Sequence, residues 1–190
     1  MYKDKLIKTV HMDCPICDQI HDVEMHTRIA TLQIKKDRVS YKETYFICHN
    51  TNNEECEFQT AKLVRDNLLN ARDSYRRKNN LLTSTDIVNI RKKYKLSQVE
   101  LAKLLGWGEA TISRYETKAI QDEAHDMMLK IIRDDPLKAL ELLRRNKNKF
   151  SSKKYLEIKE QIVNEINTRG KEELSRLIYK IFRLKTHSLQ

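Results

Sequence analysis

Four cysteines carry the most evident chemistry of this 190-residue chain: Cys14, Cys17, Cys48 and Cys56 are its only ones. Cys14-Pro15-Ile16-Cys17 has the spacing of a knuckle, a tight turn that can set two thiolates on one metal ion. All four lie in the first third of the sequence, which packing alone does not account for. In a cytosolic protein such a set points to zinc rather than to disulfides. Four protein ligands leave no open position for a catalytic water, so the zinc would be structural. The spacing has one irregularity. Seven residues separate Cys48 from Cys56, where about two to four are usual. A flexible polar loop can still bring Cys56 to a tetrahedral site, at an added ordering cost. His49 or Glu55 can instead complete the shell, although His49 adjoins Cys48 and is badly placed to share its metal. A metal-free fold with four reduced thiols is the alternative. The other histidines, His11, His21, His26, His125 and His187, are scattered and read as surface residues.

A second constellation, Ser97 to Glu116, can read DNA. Ser97 and Glu100 form a capping box that starts a helix. Val99, Leu101, Ala102 and Leu105 supply its buried stripe, with small Ala102 where a second helix must approach closely. Gly106 ends the helix without a Cβ penalty, and Trp107-Gly108 turns the chain. Two of the three glycines in the chain frame this turn. A second helix is expected over Glu109–Thr117, with Ile112 and Tyr115 inward. Glu109, Ala110, Thr111 and Arg114 are left facing outward, where a major groove would meet them. The order of residues resembles the lambda-repressor type of helix-turn-helix. That resemblance implies a phosphate contact from Gln98 and base readers at Glu109, Ala110 and Arg114. The Arg114 fork can engage guanine bidentately, Glu109 can accept from cytosine N4, and Ala110 offers only a methyl contact. Thr111, Ser113 and Lys118 complete the expected DNA-binding set.

These residues need scaffolds, and the chain supplies them in order. The expected fold class is α+β: a small zinc-binding β domain, an all-α helix-turn-helix domain and a helical C-terminal extension. Residues 1–60 form the β-hairpin domain. Alternation around Asp22–Ile34 and Val39–Ile47 predicts two strands joined at Lys36-Asp37-Arg38, with Val39, Tyr41, Tyr45 and Ile47 on one face and Ser40, Lys42 and Thr44 on the other. Residues 61–82 form a helical connector ending in the basic run Ser74–Asn80. Residues 83–148 form the DNA-binding domain. There Thr83 with Asp86 opens a helix carrying Ile87, Ile90 and Tyr94. Another helix over Gln121–Arg133 is expected to bury Ala124, Met128, Ile131 and Ile132. Asp135-Pro136 starts the next, with a stripe of Leu137, Leu140 and Leu143. Residues 149–190 form an amphipathic tail in two pieces broken at Gly170, with Leu174, Leu177, Ile178, Ile181 and Phe182 on the second stripe. The tail either packs on its own domain or meets a protein partner.

Composition narrows the class. Lys and Arg number 37 against 27 Asp and Glu, for a formal net charge of +10, which favours polyanions and salt-sensitive binding. Hydrophobic residues make up 39% and charged residues 34%, so small, helix-rich domains are expected. No apolar run approaches the roughly 20 residues needed to cross a bilayer, and no signal-peptide core follows the N-terminus. A cytoplasmic protein with no membrane association is the expectation. Nor is there a cluster of carboxylates or a Ser/His/Asp ordering, so no catalytic residues are assigned and an enzyme is not expected.

Together the parts resemble the MqsA/YgiT family of bacterial zinc-finger helix-turn-helix antitoxins. The resemblance covers about residues 12–148. It rests on Cys14-Pro-Ile-Cys17, on Cys48 and Cys56 before a connecting helix, and on Leu82–Arg91 preceding Gly106–Glu116. It implies a structural zinc part that can bind a partner toxin, an mRNA-cleaving ribonuclease. It also implies a helix-turn-helix part that dimerises and represses its own operon at palindromic double-stranded DNA sites. Arg114 falls on a family base-reading arginine, whereas Ala110 replaces an asparagine reader, so the operator should differ. A free-standing regulator of a mobile element or of stress genes, or a toxin neutraliser with secondary DNA binding, are the alternatives.

Overall fold

The structure is a computed structural model that describes residues 4–51 and 56–187, with side chains to residue 176. It is α+β: an N-terminal antiparallel sheet followed by helices. Two units separate by their internal packing, one comprising the chain up to Ser84 with Thr117–Ile120, the other Thr85–Glu116 with the chain from Gln121 onward.

The first unit is built on a meander of strands in the order β1 (Lys5–Cys14), β2 (Gln19–Ile34), β3 (Asp37–Ile47) and β4 (Glu57–Phe58). The expected hairpin is β2–β3, and two further strands flank it. Its turn lies at Lys35-Lys36 rather than at Lys36-Asp37-Arg38, because Asp37 already pairs with Ile34. Lys35 takes up the left-handed conformation, at φ 51°, that so short a connection demands. Along β3, Val39 and Tyr45 are buried while Ser40 and Lys42 are exposed, as alternation predicts. Phe46 breaks the pattern and is buried on the other face. There it stacks on Phe58, 5.3 Å between ring centroids, within a small core of Cys14, Val23 and Cys48.

β4 is only two residues long, so it leaves most of the β3 edge away from β2 without a strand partner. Helix α1 (Ala61–Lys78), capped by the Thr60 hydroxyl, covers that edge. Asn67 acts as a one-residue strand: its side-chain oxygen accepts from Thr44 N–H at 2.9 Å and its amide donates to the Thr44 carbonyl at 2.7 Å. Asn70 donates to the Lys42 carbonyl at 3.2 Å. Edge groups satisfied in this way cannot recruit a foreign strand.

The basic run Ser74–Asn80 is not a solvated connector. Helix α1 continues to Lys78, and Arg76 is fully buried. Its guanidinium donates to Asp73 Oδ1 at 2.6 Å and to the Ala119 carbonyl at 2.5 Å. Asp73 in turn accepts from the Ser84 N–H at 2.8 Å and hydroxyl at 2.6 Å. A charge taken out of water requires such a full set of partners.

The second unit contains α2 (Ser84–Lys93), α3 (Gln98–Leu105), α4 (Thr111–Thr117), α5 (Glu123–Asp134), α6 (Pro136–Arg145) and α7 (Ser152–His187). Helix α2 begins one residue after the expected cap. Its Ile87, Ile90 and Tyr94 are buried with Leu101, Ala102, Leu104, Leu105 and Ile112. Val99, expected in this stripe, is instead 37% exposed. The inward face of α5 also differs from the expected one. Leu129 and Ile132 are buried, whereas Ala124 and Ile131 are exposed and Met128 only half-buried. Asp126 claims the inward position one turn earlier, where Gln121 donates to it at 2.9 Å. On α6, Ala139 and Leu143 are buried and Leu137 is exposed.

Helix α7 runs unbroken through Gly170. An isolated glycine costs a helix only about 1 kcal/mol and does not end it without a further stop signal. Its first half packs on α6, Ile158 and Ile162 are buried, and Lys154 pairs with Glu100 at 2.9 Å. Farther out Leu174 is exposed, and the side chains of Leu177, Ile178, Ile181, Phe182 and His187 lie outside the described residues. No helix among the described residues is long and apolar enough to cross a membrane.

The capping box at α3 is complete. Ser97 Oγ accepts from Glu100 N–H at 3.2 Å and the Glu100 carboxylate accepts from Ser97 N–H at 2.8 Å. Burial raises the Glu100 pKa, but the Ser97 backbone N–H and Lys154 outweigh it and hold the carboxyl below its usual range. The Ser97→Ala variant should therefore lose about 1 kcal/mol, measured by urea denaturation followed at Trp107.

Candidate functional site

The knuckle forms because β1 ends at Cys14 and β2 begins at Gln19, paired directly across a tight turn. Asp18 closes that turn in the left-handed conformation, at φ 54°, and its N–H donates to the Cys14 carbonyl at 2.9 Å. Cys48 follows the end of β3. The donor atoms of Cys14, Cys17, Cys48 and His21 all lie within 4.8 Å of one another, an arrangement that can hold a metal ion. Three of the four expected cysteines are thus brought together, and the fourth member is a histidine that the sequence reading left on the surface. The Cys56 thiol is outside this group, although its carbonyl accepts from Cys48 N–H at 2.9 Å. His49 turns away to pair with Glu24 at 3.1 Å, and Glu55 lies outside the described residues.

His21 could have been found from register. It is two residues into β2, opposite Met12, so strand alternation sets it on the face opposite its exposed neighbour Ile20. Without knowledge of β1 that face has no meaning. Electrostatics in the cluster favour a cation. Burial raises the Cys14 thiol, yet the His21 imidazole and the N–H groups of Ile16 and Cys17 outweigh it and lower the pKa to about 6. Burial and the neighbouring Cys14 and Cys17 push the Cys48 thiol up. Three sulfurs this close gain by sharing one divalent ion. Soft sulfur and imidazole donors suit zinc.

In the second unit, α3 ends where Gly106 adopts the left-handed conformation at φ 80°. The Trp107 N–H reaches back to the Ala102 carbonyl at 2.9 Å, closing the helix end. Trp107 packs against His125 with centroids 4.1 Å apart, and Tyr115 OH lies 2.6 Å from His125 Nδ1. Helix α4 starts at Thr111, whose N–H donates to the Gly108 carbonyl at 3.0 Å, so Glu109 and Ala110 sit in the turn rather than in the expected first helical turn. Ile112, Tyr115 and Glu116 face inward.

Arg114 is exposed, and its guanidinium makes no hydrogen bond or ion pair among the described residues. Glu109 and Ala110 are exposed, and Glu109 pairs with Lys103 at 3.0 Å. Thr111 and Ser113 are half-buried, and Lys118 is exposed just after α4. Gln98 donates to Glu116 Oε2 at 2.6 Å. Glu116, buried, also accepts from Arg91 at 2.7 and 3.1 Å. One amide hydrogen of Gln98 is therefore committed, and its position is fixed by the same carboxylate that ties α2 to α4.

Residues 12–144 match the family described as the antitoxin component of the bacterial toxin-antitoxin system, MqsA. The chain belongs to the MqsA antitoxin family. No curated protein matches it. The MqsA match takes in the knuckle, the cysteine-histidine cluster, α1 and the helices through most of α6. All of α7 lies beyond it.

Proposed function

We propose that this protein is a cytoplasmic antitoxin that represses its own operon as a sequence-specific DNA-binding homodimer, stabilised by a structural zinc ion. The observation that carries this reading is the outer face of α4. A guanidinium with no internal partner stands there on a short helix whose inward residues and supporting helix are fixed by the Glu116 network. An uncommitted guanidinium on a firmly held helix is free to engage guanine bidentately.

In this reading two copies of α4 enter successive major grooves of a palindromic operator, about 34 Å apart. Arg114 and Thr111 address bases, with Glu109 available once its exposed pair with Lys103 opens, a contact of little energetic weight. Gln98, Ser113 and Lys118 hold phosphates, and the excess of 37 basic over 27 acidic residues supplies long-range attraction. Ala110 adds at most contact with a thymine methyl. The partner to be neutralised is an mRNA-cleaving ribonuclease, as expected of the family. Zinc would be held by the Cys14–Cys17 knuckle and Cys48 with a fourth protein ligand, and would act on the fold rather than on a substrate.

The test is binding to duplexes from the protein's own promoter against scrambled duplexes. Arg114→Ala should weaken operator binding by about 1–3 kcal/mol while leaving affinity for random DNA nearly constant. An equal loss on both would remove Arg114 from base reading. Wild-type protein that fails to prefer its promoter would end the repressor reading altogether.

A further inference from the structure

We propose that the metal centre is coordinated by three thiolates and one imidazole, from Cys14, Cys17, Cys48 and His21, and that Cys56 is not a ligand. This rests on the reading of the cluster as a zinc site and assigns its inner shell.

Distances come first. Tetrahedral zinc with ligands at about 2.0–2.3 Å sets neighbouring donors about 3.3–3.8 Å apart. His21 Nε2 and Cys48 Sγ are already 3.6 Å apart, and all four donors fall within 4.8 Å of one another. Small side-chain rotations close the rest.

The second argument is the tautomer. His21 Nδ1 lies 2.8 Å from the Asp22 carbonyl oxygen. A carbonyl can only accept, so Nδ1 carries the hydrogen. In the neutral ring Nε2 then has a bare lone pair, and that lone pair faces the three sulfurs. A ligating imidazole is usually held this way, its second nitrogen donating to a carbonyl or carboxylate.

The third is topology. One hairpin, β1–β2, delivers Cys14, Cys17 and His21, and the end of β3 delivers Cys48. The site therefore closes without the segment that separates Cys48 from Cys56. That segment is seven residues long, an encumbrance if Cys56 had to be a ligand and of no consequence if it does not. Cys56 sits opposite Cys48 across the extended ladder of β3 and β4, where its carbonyl holds Cys48 N–H. Its backbone supports the site while its thiol stays outside.

X-ray absorption on the full-length, zinc-loaded protein reads the shell directly. The expected fit is three sulfurs at about 2.3 Å and one nitrogen at about 2.0–2.1 Å. Cys56→Ser should keep that shell and one zinc per chain. His21→Ala should weaken zinc retention against a chromogenic chelator on the order of 100-fold or more, since even a residue that only supports a ligand costs up to about that much. His21→Cys should restore retention with a four-sulfur shell, which guards against simple misfolding of the alanine variant. A four-sulfur shell in the wild type, or zinc loss in Cys56→Ser, would overturn the assignment while leaving the zinc reading intact. Absence of bound metal in the wild type would overturn both.

Discussion

Stripping zinc from the full-length protein is expected to unfold the metal-bearing end of the N-terminal sheet and leave the helical unit standing. The reason is the size of the core that a metal at this cluster would complete. Around Cys14 and Cys48 only Val23 and Phe46 are fully enclosed, with half-buried neighbours such as Val10, Met12 and Met25. Val39 and Tyr45 are buried on the other face, where α1 packs on β3, but so small a cluster cannot alone offset the ordering of the strand ends around the metal site. A structural zinc contributes about 10–16 kcal/mol of apparent binding energy in small zinc modules. Chelation should diminish strand circular dichroism and open the region before α1 to protease. The chain has a single tryptophan, Trp107, within the helical unit, and its fluorescence should not change. Acid should act in the same sense: thiolates take up protons as the pH falls and release the metal. A metal-free protein with an unaltered sheet spectrum would show that the centre is dispensable to the fold.

Asp73→Ala should be the most damaging substitution outside the metal site. It removes the acceptor of Arg76 Nη1 and of both Ser84 donors in one step. Arg76 has no exposed surface, so its charge would remain buried without its counter-ion. Breaking such a pair costs about 3–5 kcal/mol. Replacing both residues, as Asp73→Leu with Arg76→Met, should recover much of that loss, because the penalty comes from the stranded charge rather than from the missing pair. Thermal or urea denaturation of the single and double variants measures the difference. Equal destabilisation by both would show that the hydrogen bonds to Ser84, not the ion pair, carry the effect.

Local rules acted wherever a residue needed only its neighbours in sequence. Ser97 with Glu100, Gly106 after α3 and Asp135-Pro136 before α6 specify helix ends through bonds spanning five residues or fewer. They were legible in advance, and so was the alternation of β2 and β3. The order of cysteines, connecting helix and helix-turn-helix was enough to suggest the family that the match over residues 12–144 then showed. The start of α4 was misjudged by two residues because Gly108 accepts from Thr111 and forms one more turn before the helix begins.

Burial of polar groups was not legible, since it depends on partners far away in the chain. Arg76 resembles the rest of a basic run until Ala119 and Ser84 close around the Asp73 pair. Asp126 displaces the apolar face expected of α5 for a similar reason, through Gln121. His21 has no partner within a few residues of sequence that would mark it as a ligand. What the sequence determined by itself was the set of thiols, the helix caps and the outward guanidinium of α4. Tertiary structure alone decided which donors meet, because pairing β1 with β2 and then carrying β3 back beside them brings His21 to Cys48 across 27 positions of chain.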